Sequence, residues 1–197
     1  MNIYFVRHGQ TSANNNKYYY GRLDVSLNEK GLSQAKGIKK LLSNIEFDDV
    51  CVSDRKRASQ TAQIILEDNF EKINIDERLN EMNLGKFEGK NYKEIMKIYP
   101  EEWKKWSDDW KNVSPPEGES YVEFYSRVKS FMDDILKLNK DNILIVTHSG
   151  VIRSVYCYVL NGILDFFWKF ASKNGDITLI KYEYSNLYID SITHVNT

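Results

Sequence analysis

The chain has 197 residues, which is long enough for one well-packed α/β domain and too short for two large ones. Its composition is that of a globular protein, with 42% hydrophobic and 28% charged residues, and its net charge of −1 gives no basic surface for nucleic acid or an anionic membrane. We therefore expect a single domain over residues 1–197 that binds an anion, if at all, with a few focused cations.

Strand-like and helix-like patterns alternate along the chain, which predicts a mainly parallel sheet with helices on both faces. Apolar runs at residues 3–6 and 50–52 predict the first two strands. Asn28 is expected to cap the helix between these strands, and Ser53 or Asp54 to cap the helix after the second one. The predicted fold is a three-layer α/β sandwich.

Residues 85–118 break this alternation with helical patches and three tryptophans. We expect this segment to form a small helical insertion, or lid, over the functional site. Trp103, Trp106 and Trp110 have the i, i+3 and i+7 spacing of one helix face. Core packing is the expected role of at least two of them, and one is expected to border a pocket.

The last third of the chain returns to the regular pattern. A long amphipathic helix is predicted over residues 122–138, and the apolar run at 143–146 is the cleanest buried strand in the sequence. Two further strands, at 177–184 and 187–192, are expected to form a hairpin that closes the sheet. The elements so predicted give one α/β sheet from end to end of the chain.

Several classes of protein are disfavoured by what these elements carry. Arg7 interrupts the first apolar run after four residues, so neither a signal peptide nor a membrane span is predicted. Cys51 and Cys157 fall in a predicted strand and helix, which favours reduced, buried thiols. Neither has a histidine or second cysteine at ligand spacing, so no metal site is predicted. We expect a cytoplasmic protein without a cofactor.

The first strand ends in Arg7-His8-Gly9, which brings a cation and an imidazole to its carboxyl end. Ligands of open α/β sheets lie just outside the carboxyl ends of the strands. One imidazole nitrogen can attack while the other is held by a hydrogen bond, and a guanidinium can grip an oxyanion with a planar fork of donors. Taken alone, the motif fits a strand cap as well as a nucleophile beside a phosphate.

Two other strand ends favour the phosphate interpretation. The strand at 143–146 runs into Thr-His-Ser-Gly at 147–150, and the helix after the strand at 50–52 starts with Arg-Lys-Arg at 55–57. Cations are unfavourable at a helix N-terminus unless an anion lies there too. A solvated basic helix start is the simpler explanation of that helix alone, but a phosphate pocket explains all three strand ends together.

With these motifs the chain resembles the histidine phosphatase superfamily, in its phosphoglycerate mutase-like branch. Five motifs occur in the family's order and together span nearly the whole chain. They are Arg7-His8-Gly9-Gln10-Thr11 with Asn14; Gly21-Arg22-Leu23-Asp24 running to Leu27 and Gly31; Ser53-Asp54 with Arg57-Ala58 and Gln60-Thr61-Ala62; Leu79-Asn80-Glu81 with Gly85 and Glu88-Gly89; and Thr147-His148-Ser149-Gly150.

The resemblance implies a metal-independent phosphomonoesterase that acts on a small phosphorylated metabolite. In that mechanism His8 attacks the phosphoryl group and becomes a phosphohistidine, while Arg7, Arg57 and His148 surround the transferring group. Glu81 protonates the departing alkoxide and then activates water. The resemblance also implies substrate contacts from Thr11, Asn14, Gly21 and Ser149, in addition to those from Arg7, Arg57 and His148.

The assignment of Glu81 depends on the resemblance. Glu77, Glu81 and Glu88 lie close together in the sequence, and their spacing does not choose among them. Glu81 is preferred because the family's Leu-x-Glu pattern ends there. His194 matches no motif, and we expect it to have a structural role.

Within the family, the chain is most similar to the α-ribazole phosphatases, which act in nucleotide-loop assembly of cobalamin. The similarity implies α-ribazole 5′-phosphate as the substrate. An aromatic wall from the tyrosines at 18–20 or from the insertion would suit such a flat heterocycle through offset stacking. The motifs that carry this similarity are Leu79-Asn80-Glu81-Met82, Trp106, Asp109-Trp110, Pro115, Gly118-Glu119, Phe124, Ser126-Arg127-Val128, Trp168, Phe170 and Gly175.

Three alternatives stay open at this point. The substrate could be another small phosphomonoester, or the enzyme a phosphoglycerate mutase, although Lys104-Lys105 is the nearest match to the paired arginines that mutases use. A non-catalytic phosphate-binding module is disfavoured because His8, Glu81 and His148 are all present. The oligomeric state is not fixed by the sequence, and a homodimer stays open.

Overall fold

The computed structural model describes residues 1–67 and 73–195. Its strands are β1 (Asn2–Arg7), β2 (Asp49–Val52), β3 (Ile73–Ile75), β4 (Asn142–Thr147), β5 (Ile177–Glu183) and β6 (Asn186–Thr193). They form one sheet in the order β3-β2-β4-β1-β5-β6. The first four of these run parallel, while β5 and β6 are antiparallel to their neighbours. The predicted, mainly parallel α/β sheet is therefore confirmed.

The helices are α1 (Ser12–Asn15), α2 (Glu29–Leu42), α3 (Lys56–Leu66), α4 (Tyr92–Ile98), α5 (Pro100–Asp108), α6 (Tyr121–Ile135) and α7 (Ser149–Val159). No helix among the described residues is long and apolar enough to cross a membrane.

Two apolar clusters pack on opposite faces of the sheet. Strand β4 shows this alternation, because Ile143 and Ile145 join the cluster with α6 and α7, whereas Leu144 and Val146 join the one with α2 and α3. Successive strand residues point to opposite faces, so a continuous apolar run suits a strand that is covered on both sides. The three-layer arrangement follows from this pattern.

The start of α3 differs from the prediction. Asn28 does cap α2, since its side chain accepts a hydrogen bond from the Gly31 amide at 2.9 Å. Neither Ser53 nor Asp54 caps α3, which begins at Lys56. The carboxylate of Asp24, from the loop before α2, accepts from the Lys56 amide at 2.8 Å instead. A cap supplied from a distant loop leaves Ser53 free for another role.

The insertion at 85–118 contains α4 and α5, but its tryptophans do not share one helix face. Trp103 and Trp106 lie on α5, which ends at Asp108, and Asp109 then leaves the helical conformation with φ −136° and ψ 68°. Trp110 consequently packs beyond the helix, with its ring centroid 4.9 Å from that of Tyr121. The prediction of a single face was wrong for this residue.

Candidate active site

The two histidine motifs meet because β1 and β4 are adjacent and parallel. Arg7 pairs in register with Thr147, and the His8 amide donates to the Thr147 carbonyl at 3.0 Å. The rings of His8 and His148 lie with their centroids 5.1 Å apart, and both residues are buried. The ends of the two strands therefore place both imidazoles in one pocket.

His8 has the protonation state that a nucleophile needs. Its Nδ1 donates to the carbonyl oxygen of Gly9 at 2.7 Å, which leaves Nε2 with a free lone pair. Burial, together with the positive charges of Arg57 and Arg7, holds the pKa of His8 well below its usual range. The ring is therefore neutral near pH 7 and can attack phosphorus through Nε2.

Arg57 joins the loop at residues 21–23 to the pocket. This fully buried side chain donates from Nη2 to the Gly21 carbonyl at 2.8 Å and from Nη1 to the Leu23 carbonyl at 2.9 Å. Its guanidinium carbon lies 4.6 Å from the centre of the Tyr20 ring. A guanidinium has five N–H donors, so these loop contacts leave donors for an anion.

Gly21, which was predicted to contact the substrate, reaches the pocket through its backbone. Its carbonyl accepts from Arg57, and a Cβ atom at this position would lie 1.8 Å from the carbonyl oxygen of Met82. Only glycine permits this close approach of two backbone segments.

His148 uses both of its nitrogens within the protein. Nδ1 accepts from Nε of Arg57 at 3.2 Å, so Nε2 carries the proton and donates to the hydroxyl of Ser53 at 2.7 Å. Ser53 in turn donates to Oδ1 of Asn80 at 2.6 Å. Burial and the charge of Arg57 hold the pKa of His148 well below its usual range, which keeps the ring neutral.

Arg7 and Ser149 share an acceptor at the edge of this pocket. Nη1 of Arg7 donates to the Ser172 carbonyl, and the Ser149 hydroxyl donates to the same oxygen at 3.3 Å. Nε of Arg7 is buried and has no hydrogen-bond partner among the described residues. The Arg7 guanidinium therefore retains donors for an oxyanion.

Glu81 lies at the N-terminus of α7. Its Oε2 accepts from the Gly150 amide at 3.0 Å and its Oε1 from the Met82 amide at 3.0 Å. A Cβ atom on residue 150 would come within 2.2 Å of Oε1, so the glycine after Ser149 makes room for this carboxylate. A helix N-terminus favours a negative group.

The other two candidate carboxylates have different surroundings. Glu88 accepts from the amides of Arg22 at 2.8 Å and Leu23 at 2.6 Å, so it braces the loop before α2. Glu77 starts a short 3₁₀ turn and borders a separate polar cavity. Of the three, Glu81 alone contacts the helix that begins beside His148.

Thr11 and Asn14 cap α1 together. The Thr11 hydroxyl accepts from the Asn14 amide and forms a hydrogen bond with the Tyr20 hydroxyl at 2.9 Å. Oδ1 of Asn14 accepts from the Thr11 amide at 3.0 Å and from the Asn174 side chain at 3.2 Å. Thr11 thus has a structural partner for its side chain, whereas Nδ2 of Asn14 is left without a hydrogen-bond partner among the described residues.

Arg127 is a site residue whose role the sequence did not reveal. From α6 it donates from Nη1 to the carbonyls of Arg78 and Asn80, both at 2.7 Å, and from Nη2 to the carbonyl of Glu81 at 3.1 Å. Its guanidinium also forms an ion pair with Glu119 at 2.8 Å. The side chain clamps the segment that carries Glu81. The sequence signal that could have indicated this role is an arginine placed between two buried positions of α6, with Glu119 nearby as a possible ion-pair partner.

An aromatic cavity of about 180 Å³ opens on one side of Glu81. Tyr19 is the one of the three tyrosines at 18–20 that lines this cavity. The insertion contributes two tryptophans, Trp106 and Trp110, whereas one was expected. Trp103 packs instead against Phe87 and Tyr92. The remaining aromatic rings that line the cavity are Tyr121, Phe167 and Trp168.

A larger polar cavity, of about 460 Å³, lies on another side of Glu81. It is lined by four arginines, but three of them are paired with carboxylates: Arg55 with Asp54, Arg78 with Asp76 and Asp134, and Arg127 with Glu119. Most of its positive charge is therefore balanced within the protein.

Two buried histidines at strand ends, with arginine donors around them, are suited to hold a phosphate. Residues 3–194 match the histidine phosphatase superfamily (branch 1), and the chain belongs to this family. It is a phosphatase.

Similar proteins include phosphatases of more than one substrate. The adenosylcobalamin/alpha-ribazole phosphatase of Salmonella typhimurium is 34% identical over 176 residues, which cover 89% of this chain and 87% of that protein. Phosphoserine phosphatase 1 of Hydrogenobacter thermophilus is 31% identical, covering 93% of this chain and 87% of that protein. The crystal structure of the alpha-ribazole phosphatase from Shigella flexneri has a TM-score of 0.91 and 29% identity, covering 96% of this chain and 94% of that one.

Proposed function

We propose that this phosphatase hydrolyses α-ribazole 5′-phosphate to α-ribazole and inorganic phosphate, in the assembly of the cobalamin nucleotide loop. The observation that carries the substrate assignment is the aromatic cavity directly beside Glu81. A leaving group bound there stacks a flat heterocycle between rings, at about 0.5–1.5 kcal/mol for each aromatic pair beyond the area it buries. The similarity to α-ribazole phosphatases supports the same substrate.

In the first step, Nε2 of His8 attacks phosphorus and forms a P–N bond while the bond from phosphorus to the alkoxide oxygen breaks. Arg7 and Arg57 donate to the phosphoryl oxygens, which spreads the developing charge without a metal ion. Glu81, as the general acid, gives a proton to the departing oxygen. Both Glu81 oxygens keep a lone pair beyond their backbone hydrogen bonds, so either can carry that proton.

In the second step, Glu81 takes a proton from a water molecule that attacks the phosphohistidine. The P–N bond breaks, inorganic phosphate leaves, and both His8 and Glu81 return to their starting states. Neutral His148 holds Nε of Arg57 in place, and Asn14 offers its amide to the transferring group. In this proposal residues 1–197 act as one domain, to which the insertion at 85–118 contributes part of the leaving-group cavity.

A substrate panel tests this function. It compares kcat/KM for α-ribazole 5′-phosphate, phosphoserine, 3-phosphoglycerate, fructose bisphosphate, mononucleotides and phosphopeptides, with the His8→Ala protein as the blank. We expect the highest value for α-ribazole 5′-phosphate. A higher value for another phosphomonoester would contradict the substrate assignment, and isomerisation of 3-phosphoglycerate without release of phosphate would identify a mutase.

A further inference from the structure

Arg153 brings a positive charge into the aromatic cavity. It lies one turn after Gly150 on α7, and its guanidinium carbon is 5.6 Å from the ring centre of Phe167 and 5.3 Å from that of Trp168. Its Nε is buried and has no hydrogen-bond partner among the described residues. An apolar cavity with one cation in its wall is suited to a ligand that is part aromatic and part polar.

Trp106 supplies a second donor of the same kind. Its indole Nε1 is buried without a hydrogen-bond partner among the described residues, and its ring lines the same cavity. A buried donor without an acceptor has lost its hydrogen bond to water and gained none in return, which is unfavourable. Two such donors in the wall of one cavity point to a ligand that brings acceptor atoms to both.

The surroundings of Arg153 place it on the leaving-group side of the site. Burial lowers the pKa of its guanidinium, and the nearby carboxylate of Glu81 opposes that shift. Ser149 and Arg153 line the same cavity. The Ser149 hydroxyl shares the Ser172 carbonyl with Arg7. A substrate whose phosphate meets Arg7 therefore brings its leaving group within reach of Arg153.

The open edge of the cavity fits a ligand that is flat as well as polar. Trp168 is 58% exposed, although its ring packs edge-on against Phe167 with centroids 4.8 Å apart. A large apolar ring so exposed beside a pocket offers a stacking surface. The guanidinium of Arg153 lies against this ring and adds a cation–π contact.

We infer that Arg153 and Trp106 are specificity-determining residues, which donate hydrogen bonds to acceptor atoms on the leaving group. The ligand class they select is an alcohol that joins a flat ring to a sugar or another acceptor-bearing unit, in preference to a simple aryl or alkyl alcohol. The inference rests on one part of the proposed function: when the substrate's phosphoryl group is bound at His8, its leaving group occupies this cavity.

The test compares α-ribazole 5′-phosphate with phenyl phosphate, whose leaving group has a ring but no acceptor besides the ester oxygen. Arg153→Met removes the donors and keeps a long side chain against Phe167 and Trp168. We expect kcat/KM for α-ribazole 5′-phosphate to fall about 10- to 100-fold, mostly through KM, as lost hydrogen bonds to a charged donor predict. The loss on phenyl phosphate should be at least about tenfold smaller.

Two further variants complete the comparison. Trp106→Phe removes a neutral donor but keeps an aromatic ring. Its kcat/KM should therefore also fall selectively for α-ribazole 5′-phosphate, by less than in Arg153→Met. Lys105→Met is the control, because it removes an exposed cation of α5 that lies next to Trp106 in the sequence but outside the cavity. It should leave kcat/KM unchanged for both substrates. Arg153→Lys keeps the charge and a donor but loses the planar fork of the guanidinium, and it serves if the methionine variant does not fold. Its loss of kcat/KM should again be selective for α-ribazole 5′-phosphate, but smaller than that of Arg153→Met.

Equal losses on both substrates in the Arg153 variants would overturn the inference, because Arg153 would then act on Glu81 or on the fold. Failure of the proposed function gives a different result: the wild-type protein would not hydrolyse α-ribazole 5′-phosphate. In that case the losses of kcat/KM are compared between phenyl phosphate and the panel substrate that has the highest kcat/KM among those with hydrogen-bond acceptors on the leaving group. A selective loss there supports the roles of Arg153 and Trp106, and an equal loss refutes them.

Discussion

The phosphate end of the site and its leaving-group cavity are built in different ways. At the phosphate end, His8, Arg57 and His148 are each held by hydrogen bonds to backbone or side-chain partners. In the cavity, rings pack against rings, and Nε of Arg153 and Nε1 of Trp106 are buried without a hydrogen-bond partner among the described residues. The first region is preorganised for charge that develops in the transition state, whereas the second is completed by the ligand.

This difference means that variants at the phosphate end should affect all substrates alike, while variants in the cavity should affect only some. The largest effect is expected for His8→Ala. Removal of a covalent nucleophile costs about four to six orders of magnitude in kcat, and the loss should be the same for every phosphomonoester. Steady-state assays on the substrate panel measure it, with thermal unfolding as a control for the fold. A loss that differs between substrates would refute the division between the two regions, and substantial turnover of every substrate would refute His8 as the nucleophile.

The next largest effect is expected for Glu81→Gln, since Glu81 lies between the two regions. General acid catalysis contributes about 100- to 10,000-fold, and a good leaving group needs little of it. The loss in kcat should therefore grow with the pKa of the leaving alcohol, which a series of aryl and alkyl phosphates measures. Glu77→Gln is the matched control, because Glu77 borders only the polar cavity. An equal loss across the series would assign the acid to another group.

A smaller effect is expected for Arg127→Met, which removes the clamp on the segment that carries Glu81. A displacement of about 1 Å at a catalytic group can cost about 100-fold, so we expect a loss of about 10- to 100-fold in kcat. Because Arg127 acts through Glu81, the loss should again grow with leaving-group pKa. It should also largely disappear when Glu81 is already glutamine. Additive losses in the double variant would show that Arg127 supports the fold rather than the acid.

The smallest expected effect is on the pH dependence of the unfolding free energy. His8 and His148 have folded-state pKa values well below the 6.5 of an unfolded histidine. As pH falls below about 6.5, the unfolded chain takes up protons that the folded protein does not, so stability is present above this pH and is lost below it. Each residue contributes a slope of about 1.4 kcal/mol per pH unit in that window.

Urea unfolding in phosphate-free buffer between pH 7.5 and pH 5 measures this dependence of the unfolding free energy. His8→Ala removes one of the two groups and should make the slope shallower by about 1.4 kcal/mol per pH unit. An unchanged slope would mean that His8 is protonated as readily in the folded protein as in the unfolded chain.

The phosphate end was predictable from the sequence because its residues follow strand ends. Parallel strands end at the same edge of a sheet, so the pattern indicated a shared pocket for Arg7-His8 and His148, and the family resemblance supplied their roles. That β1 and β4 are direct neighbours is seen only in the fold. Ser53 was misread, because a serine ahead of a helix is a typical N-cap, and only the fold shows that Asp24 takes that place. The hydroxyl is thereby left to hold His148.

The leaving-group cavity was less predictable because its parts come from distant segments. Tyr19, Trp106 and Trp168 meet only in the folded chain, and Trp110 leaves the expected helix face because α5 ends at Asp108. Arg153 lies mid-helix with no motif around it, so no spacing marks it as a cavity residue. Long-range packing, rather than local pattern, determines this region.

We expect His8 to carry the phosphoryl group between the two half-reactions, whatever leaving group the cavity holds. Rapid alkaline quenching during turnover, followed by mass spectrometry of the peptide around residues 7–9, detects that intermediate. We expect a phosphoryl group on His8 that forms within one turnover, is lost in acid, and does not form in the His8→Ala protein. Normal turnover with no phosphoryl group on His8, or with one on His148 instead, would contradict it.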